Sequence, residues 1–188
     1  AVTALFSVLS GLDPAASVLM LGQVISASIG LAVYALAKQL GKDWLIGLLA
    51  AVFVTFTTKL PGYYLTWGRY TLLIGVMLLP VAMAEALRAW ECHDRWWKLA
   101  GLSLLTAGVL LSHYFTAFLF VLFLAALGLQ WLVETIRNKS ANWKQIASIA
   151  ISSIMGLILA SRWYYRIFMY SSAASRPVFR VMESETLK

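Results

Sequence analysis

From Leu99 to Ile136 the chain keeps up an apolar run of about 38 residues. As a single helix the run would reach ~57 Å, nearly twice the ~30 Å hydrocarbon thickness of a bilayer. Such a run has to be interrupted, and the polar cluster near its middle is SHYFT, Ser112 to Thr116. The reading is two shorter spans, 98–113 and 117–136, that meet in a hairpin at that cluster, with neither Gly nor Pro to mark the turn.

The rest of the chain repeats the pattern at lengths that suit a bilayer. GLDPAAS opens a span with Asp13 as N-cap and Pro14 at the first helical position, where its missing N–H costs nothing. That span covers 14–37, and KQLGKD closes it with Gly41 as the C-terminal residue. Gly22, Ser26 and Gly30 recur every fourth residue along it, a small-residue strip that admits a neighbouring helix closely. A second span covers 44–60, and a third, over 71–90, holds Pro80, which is expected to kink it. A last span covers 143–163, and a polar tail follows over 171–188. The fold class is therefore all-α, a polytopic transmembrane helical bundle of about six spans filling residues 1–170.

Composition agrees with that solvent. Hydrophobic residues make up 61% of the chain and charged ones 12%, where a soluble domain is about half apolar and about a quarter charged. The net charge of +7 does not point to nucleic acid, because the cations stand in ones, twos and threes between apolar runs, not in a patch. A single cysteine, Cys92, excludes an internal disulfide and a cysteine-cluster metal site, and His93 and His113 are too far apart in sequence to resemble a metal pair. No metal is expected from these residues.

The loop charges set an orientation. With alternating spans, Lys38, Lys42, Arg88, Arg95, Lys98, Arg137, Lys139 and Lys144 share one side, and the short loops of the other side hold Lys59 and Arg69. The richer side is expected to be cytoplasmic. The loop TTKLPGYYLTWGRYTLLIG, the SHYFT turn and the RWYYR end then lie on the extracytoplasmic face.

That face gathers the polar residues of interest. Arg69, His113, Arg162 and Arg166 are candidates for contact with a lipid phosphate, and Tyr63, Tyr64, Trp67 and Tyr70 for its headgroup. The alternative is an interfacial belt of aromatic rings with snorkelling arginines. His113 is either a phosphate ligand or base, or a hydrogen-bonded helix-break residue. Glu85 is expected to pair with Arg88, and Glu134 with Arg137, each three residues apart. No Gly-rich phosphate loop, nucleophile elbow or HExxH helix occurs, and the spans lack the buried acids of a cation-coupled transporter.

The order LAVYALAKQLGKDWLIGLLAAVFVTF, an aromatic and basic loop, LLIGVMLLPVAMAEALRAW, then KLAGLSLLTAGVLLSHYFTAFLFVLFLAAL resembles the middle of a GT-C superfamily glycosyltransferase. The likeness is to the protein mannosyltransferase and aminoarabinose transferase branch and covers about Leu5 to Tyr170. It implies a polyprenyl-phosphate sugar donor, extracytoplasmic transfer, a divalent cation in the full enzyme and a bacterial inner membrane. The family's catalytic acid lies in a first extracytoplasmic loop that has no counterpart here, so no catalytic residue is assigned and a partial chain is expected. The apolar run from Ala1 to Leu12 is too short to span and fits that expectation. The second reading is a non-enzymatic accessory or scaffold subunit of a larger membrane complex, such as a respiratory or photosynthetic one, binding lipid or pigment. The small-residue face of the first span and the lack of acids favour it.

Overall fold

A computed structural model describes residues 2–58, 68–91, 96–138 and 142–174. Among them the elements are α1 (Val2–Ser10), α2 (Pro14–Gly41), α3 (Trp44–Thr57), α4 (Tyr70–Glu91), α5 (Trp96–Ser112), α6 (Tyr114–Asn138) and α7 (Trp143–Ala174), with no strand among the described residues.

Local chemistry fixes the helix starts. The Asp13 carboxylate accepts from the Ala15 N–H at 2.8 Å and the Ala16 N–H at 3.1 Å, satisfying two of the four donors that a helix N-terminus leaves over. Asp43 caps α3 in the same way through the Leu45 N–H at 2.8 Å. Helix α2 ends at Gly41, as expected, four residues beyond the expected span end at 37. The left-handed residue is Lys42, at φ 54°, not Gly41. Gly41 is needed for space instead, since a Cβ there would lie 2.7 Å from Ile46 Cδ1. Lys42 holds its strained conformation beside Glu91 at the end of α4, with which it forms an ion pair, and Gln39 Nε2 donates to the same carboxylate at 2.8 Å.

Contacts along the helices show how they run. Ile25 and Ile29 of α2 pack on Leu73 near the start of α4, while Gln39 and Lys42 meet Glu91 at its end, so α2 and α4 are parallel. Helix α3 returns against α2, with Gly47 beside Tyr34 and Lys38 and then Thr55 against Gly30. Helix α5 returns against α4, Gly108 meeting Leu78 and Ser112 meeting Gly75. Helix α6 turns back, placing Phe120 and Leu127 in one core with Leu79, Ala82 and Ala86 of α4. Helix α7 starts against the end of α4, where Ser148 Oγ donates to Ala89 O at 3.5 Å, and runs beside α5: Gly156 abuts Thr106 and Ser103, and Tyr164 OH donates to Leu110 O at 2.5 Å. From α2 to α7, direction therefore alternates at every step. The bundle has two ends, one at Glu91 and the other at His113.

Among the described residues, four helices are long and apolar enough to cross a membrane, over Pro14–Gly41, Tyr70–Glu91, Tyr114–Arg137 and Trp143–Tyr170. Large apolar side chains such as Leu49, Phe53 and Phe56 of α3 and Val121 and Leu129 of α6 stand exposed on the outside. This is the surface of a membrane protein, whose helices are held by close packing and not by exclusion of water. The count of about six spans is not met on length and composition. Helix α3 has 14 residues and ends at Thr57 rather than residue 60, which reaches only ~21 Å. The apolar part of α5, Leu99–Ser112, is likewise short.

Other boundaries move too. Residue Pro80 lies within an unbroken α4. The SHYFT interruption shrinks to His113 alone, because Tyr114, Phe115 and Thr116 are already helical in α6. Helix α7 continues through Ala174 and takes in the first residues expected in the tail; 175–188 lie outside the described residues. The Glu85–Arg88 pair forms, while the Glu134 carboxylate turns back to accept from Gln130 Nε2 at 2.8 Å.

Candidate functional site

The His113 end is assembled around a missing side chain. Gly75, in the second turn of α4, is buried, and a Cβ on it would lie 2.8 Å from Ser112 Oγ and 2.9 Å from Thr116 Cγ2. Both residues flanking the helix break therefore seat directly on α4. Arg69 precedes α4 and its carbonyl accepts the Leu73 N–H at 3.0 Å. It stands six residues before Gly75, ~9 Å along the helix axis. The break and the head of α4 thus occupy one neighbourhood.

Within the break, the polar bonds of His113 serve the start of α6. The His113 carbonyl accepts from the Ala117 N–H at 3.0 Å and from Thr116 Oγ1 at 2.8 Å. Its ring Nδ1 accepts from the Phe115 N–H at 3.2 Å, so in the neutral imidazole the proton sits on Nε2. Ser112 Oγ donates to Val109 O at 2.8 Å and lies 3.4 Å from Thr116 Oγ1. The imidazole stacks on the Tyr114 ring, centroids 4.5 Å apart. What results is a half-buried histidine of fixed tautomer, offering an N–H donor, with an exposed arginine and the half-buried Tyr70 at the head of the adjoining helix. A neutral donor and a cation suit an anionic oxygen, and flat rings suit a sugar face.

The arginines of α7 share this end but not this side. Ala160 is fully buried, and Tyr164, one turn on, bonds to α5, so these two mark the stripe that faces the bundle. Arg162 and Arg166 each follow two residues later, about 200° around the helix, on the opposite face. They do not converge with Arg69 and His113. Tyr63, Tyr64 and Trp67 lie outside the described residues. In α2, Gly22 and Gly30 are buried and Ser26 is half-buried; Gly30 is the point where Thr55 of α3 comes closest.

Gly75 was not singled out in the sequence, although it is the one residue without a side chain between Leu72 and Leu79. A line of buried hydroxyls between α5 and α7 also went unseen: Ser103, Thr106, Ser148 and Ser152, around the close approach of Gly156. Among them Thr106 Oγ1, together with the nearby Ser153 Oγ, is buried without a hydrogen-bond partner. No group of three or more His, Cys, Asp or Glu side chains comes together among the described residues, so the divalent cation implied by the resemblance finds no donor set there.

Fold and surface define an all-α membrane protein whose charged residues, among those described, collect at the two ends of its bundle. The chain belongs to the family described as "Family of unknown function (DUF6541)", which it matches over residues 1–185. No curated protein and no solved structure matches it.

Proposed function

We propose that this protein crosses the bacterial inner membrane about six times, with its basic loops in the cytoplasm, and engages the phosphate of a polyprenyl-phosphate sugar at the His113 end. The short helices α3 and α5 cross with help from their longer neighbours, in keeping with the strict alternation of direction from α2 to α7. The observation that carries the reading is the seating of Ser112 and Thr116 on Gly75, which sets the helix break that holds His113 against the first turns of α4, the helix that begins at Tyr70 just after Arg69. In this role Arg69 supplies the positive charge, His113 Nε2–H a neutral donor, and Tyr70 and Tyr114 aromatic surface. As part of a GT-C-like transferase, the site holds the donor for transfer of its sugar to a lipid, protein or glycan.

A second reading, a lipid-binding accessory subunit without transfer chemistry, is favoured by one specific observation. Asp13 is the only carboxylate at the His113 end among the described residues, and it is engaged in capping α2. Lipids extracted from the purified native protein separate the two. Polyprenyl phosphate in the extract, with sugar released to an acceptor when the glycosylated lipid is supplied, supports the transferase. Polyprenyl phosphate with no release supports the accessory role. An extract free of polyprenyl phosphate, together with no binding of added lipid, rejects both uses of the site.

A further inference from the structure

The outward face of α7 carries an amphipathic stripe that the proposed function does not use. Trp143 and Trp163 stand twenty residues apart on this helix, ~30 Å along its axis, which matches the hydrocarbon thickness of a bilayer. Between them the face turned from the bundle is apolar and exposed, with Ile151, Ile154, Met155 and Ile158 each about half exposed. Immediately above that stripe, on the same face, come Arg162 and Arg166, one turn apart and both exposed. Tyr165 neighbours Arg162 at i+3, and Tyr170 neighbours Arg166 at i+4. Helix α7 contains no Asp or Glu at all. Arginine is costly to leave in hydrocarbon, and two arginines that close an apolar stripe suit the phosphate level.

The geometry points to a binding site for an anionic phospholipid of the surrounding bilayer, with its phosphate between Arg162 and Arg166 and its acyl chains along Ile158, Met155 and Ile151. Guanidinium groups meet phosphate oxygens through paired N–H donors, and two of them one turn apart can share one phosphodiester. The occupant is a lipid and not a second copy of the chain, because a copy packed symmetrically on this face would bring the same two cations together with no carboxylate on α7 to oppose them. This site is separate from the one at His113, on the other side of α7.

Native mass spectrometry tests it on the full protein in detergent, offered phosphatidylglycerol and phosphatidylcholine in equal amounts. The wild type is expected to retain phosphatidylglycerol by roughly thirtyfold over phosphatidylcholine, the gain that two arginines provide near an anionic surface. The R162Q/R166Q variant should fall to near parity and R162K/R166K should keep an intermediate preference, while polyprenyl-phosphate binding is the same in all three. Absence of preference in the wild type, a measurement that needs no variant to fold, overturns the site. So does an undiminished preference in R162Q/R166Q. A dimer that R162Q/R166Q dissociates without changing lipid preference also overturns it, since this face would then hold a second copy.

Discussion

The two ends of the bundle solve the problem of terminating helices in different ways. At the Glu91 end, charges answer charges: Lys42 and Gln39 of α2 meet Glu91 of α4, and Glu85 meets Arg88. At the His113 end the cations Arg69, Arg162 and Arg166 outnumber the single described carboxylate, Asp13, which is committed to a cap. There the helices are joined by hydroxyls, an imidazole and a glycine seat. Under the proposed function, Arg69 and the His113 N–H are the groups that meet an anion. The proposed function gives anchoring to the first and recognition to the second.

The largest expected effect comes from filling the glycine seat. Gly75→Leu places a branched side chain where even a Cβ is 2.8 Å from Ser112 Oγ and 2.9 Å from Thr116 Cγ2, and should cost about 3 kcal/mol or more. Thermal unfolding in detergent reads it, and a variant as stable as the wild type would remove the basis for placing the break on α4. Next comes Thr116→Val. Thr116 is 1% exposed and its hydroxyl donates to His113 O, so removing it should cost about 1 kcal/mol. The same substitution should weaken polyprenyl-phosphate binding by loosening the His113 ring. The smallest effect belongs to the other end. Lys42 and Glu91 are 60% and 43% exposed, so Glu91→Gln should cost at most about 1 kcal/mol. A loss at Glu91 larger than that at Gly75 would invert the contrast between the ends.

Features governed by neighbours in the chain were legible in the sequence. Asp13 and Pro14 announce the start of α2 because capping involves only the next three residues. The break at SHYFT was legible from length alone, since no helix of that reach fits a bilayer. Its narrowness was not, because His113 supplies both its carbonyl and its ring to the first turn of α6 and lets the helix restart at once. The last residue of α2, Gly41, was legible too, but not that Ile46 of α3 leaves no room for a side chain there, nor that Lys42 after it is left-handed.

The candidate site shows the same division. Sorting residues by loop placed Arg69, His113, Arg162 and Arg166 at one end of the molecule, but membership of an end says nothing about azimuth. That depends on which stripe of α7 is buried, and the stripe is set by Gly156 against Ser103 and Thr106 and by Tyr164 against Leu110. These contacts join residues more than forty positions apart in sequence. A helical-period reading finds a face without finding its partner.

A paired titration of polyprenyl phosphate into detergent-solubilised R69Q/H113Q and K42A/E91Q sets the two ends against each other. Expected is a loss of affinity of about tenfold or more in R69Q/H113Q, from removal of charge-assisted bonds, with K42A/E91Q within about twofold of wild type. Equal losses in the two variants, or a loss confined to K42A/E91Q, would contradict the assignment of recognition to the His113 end.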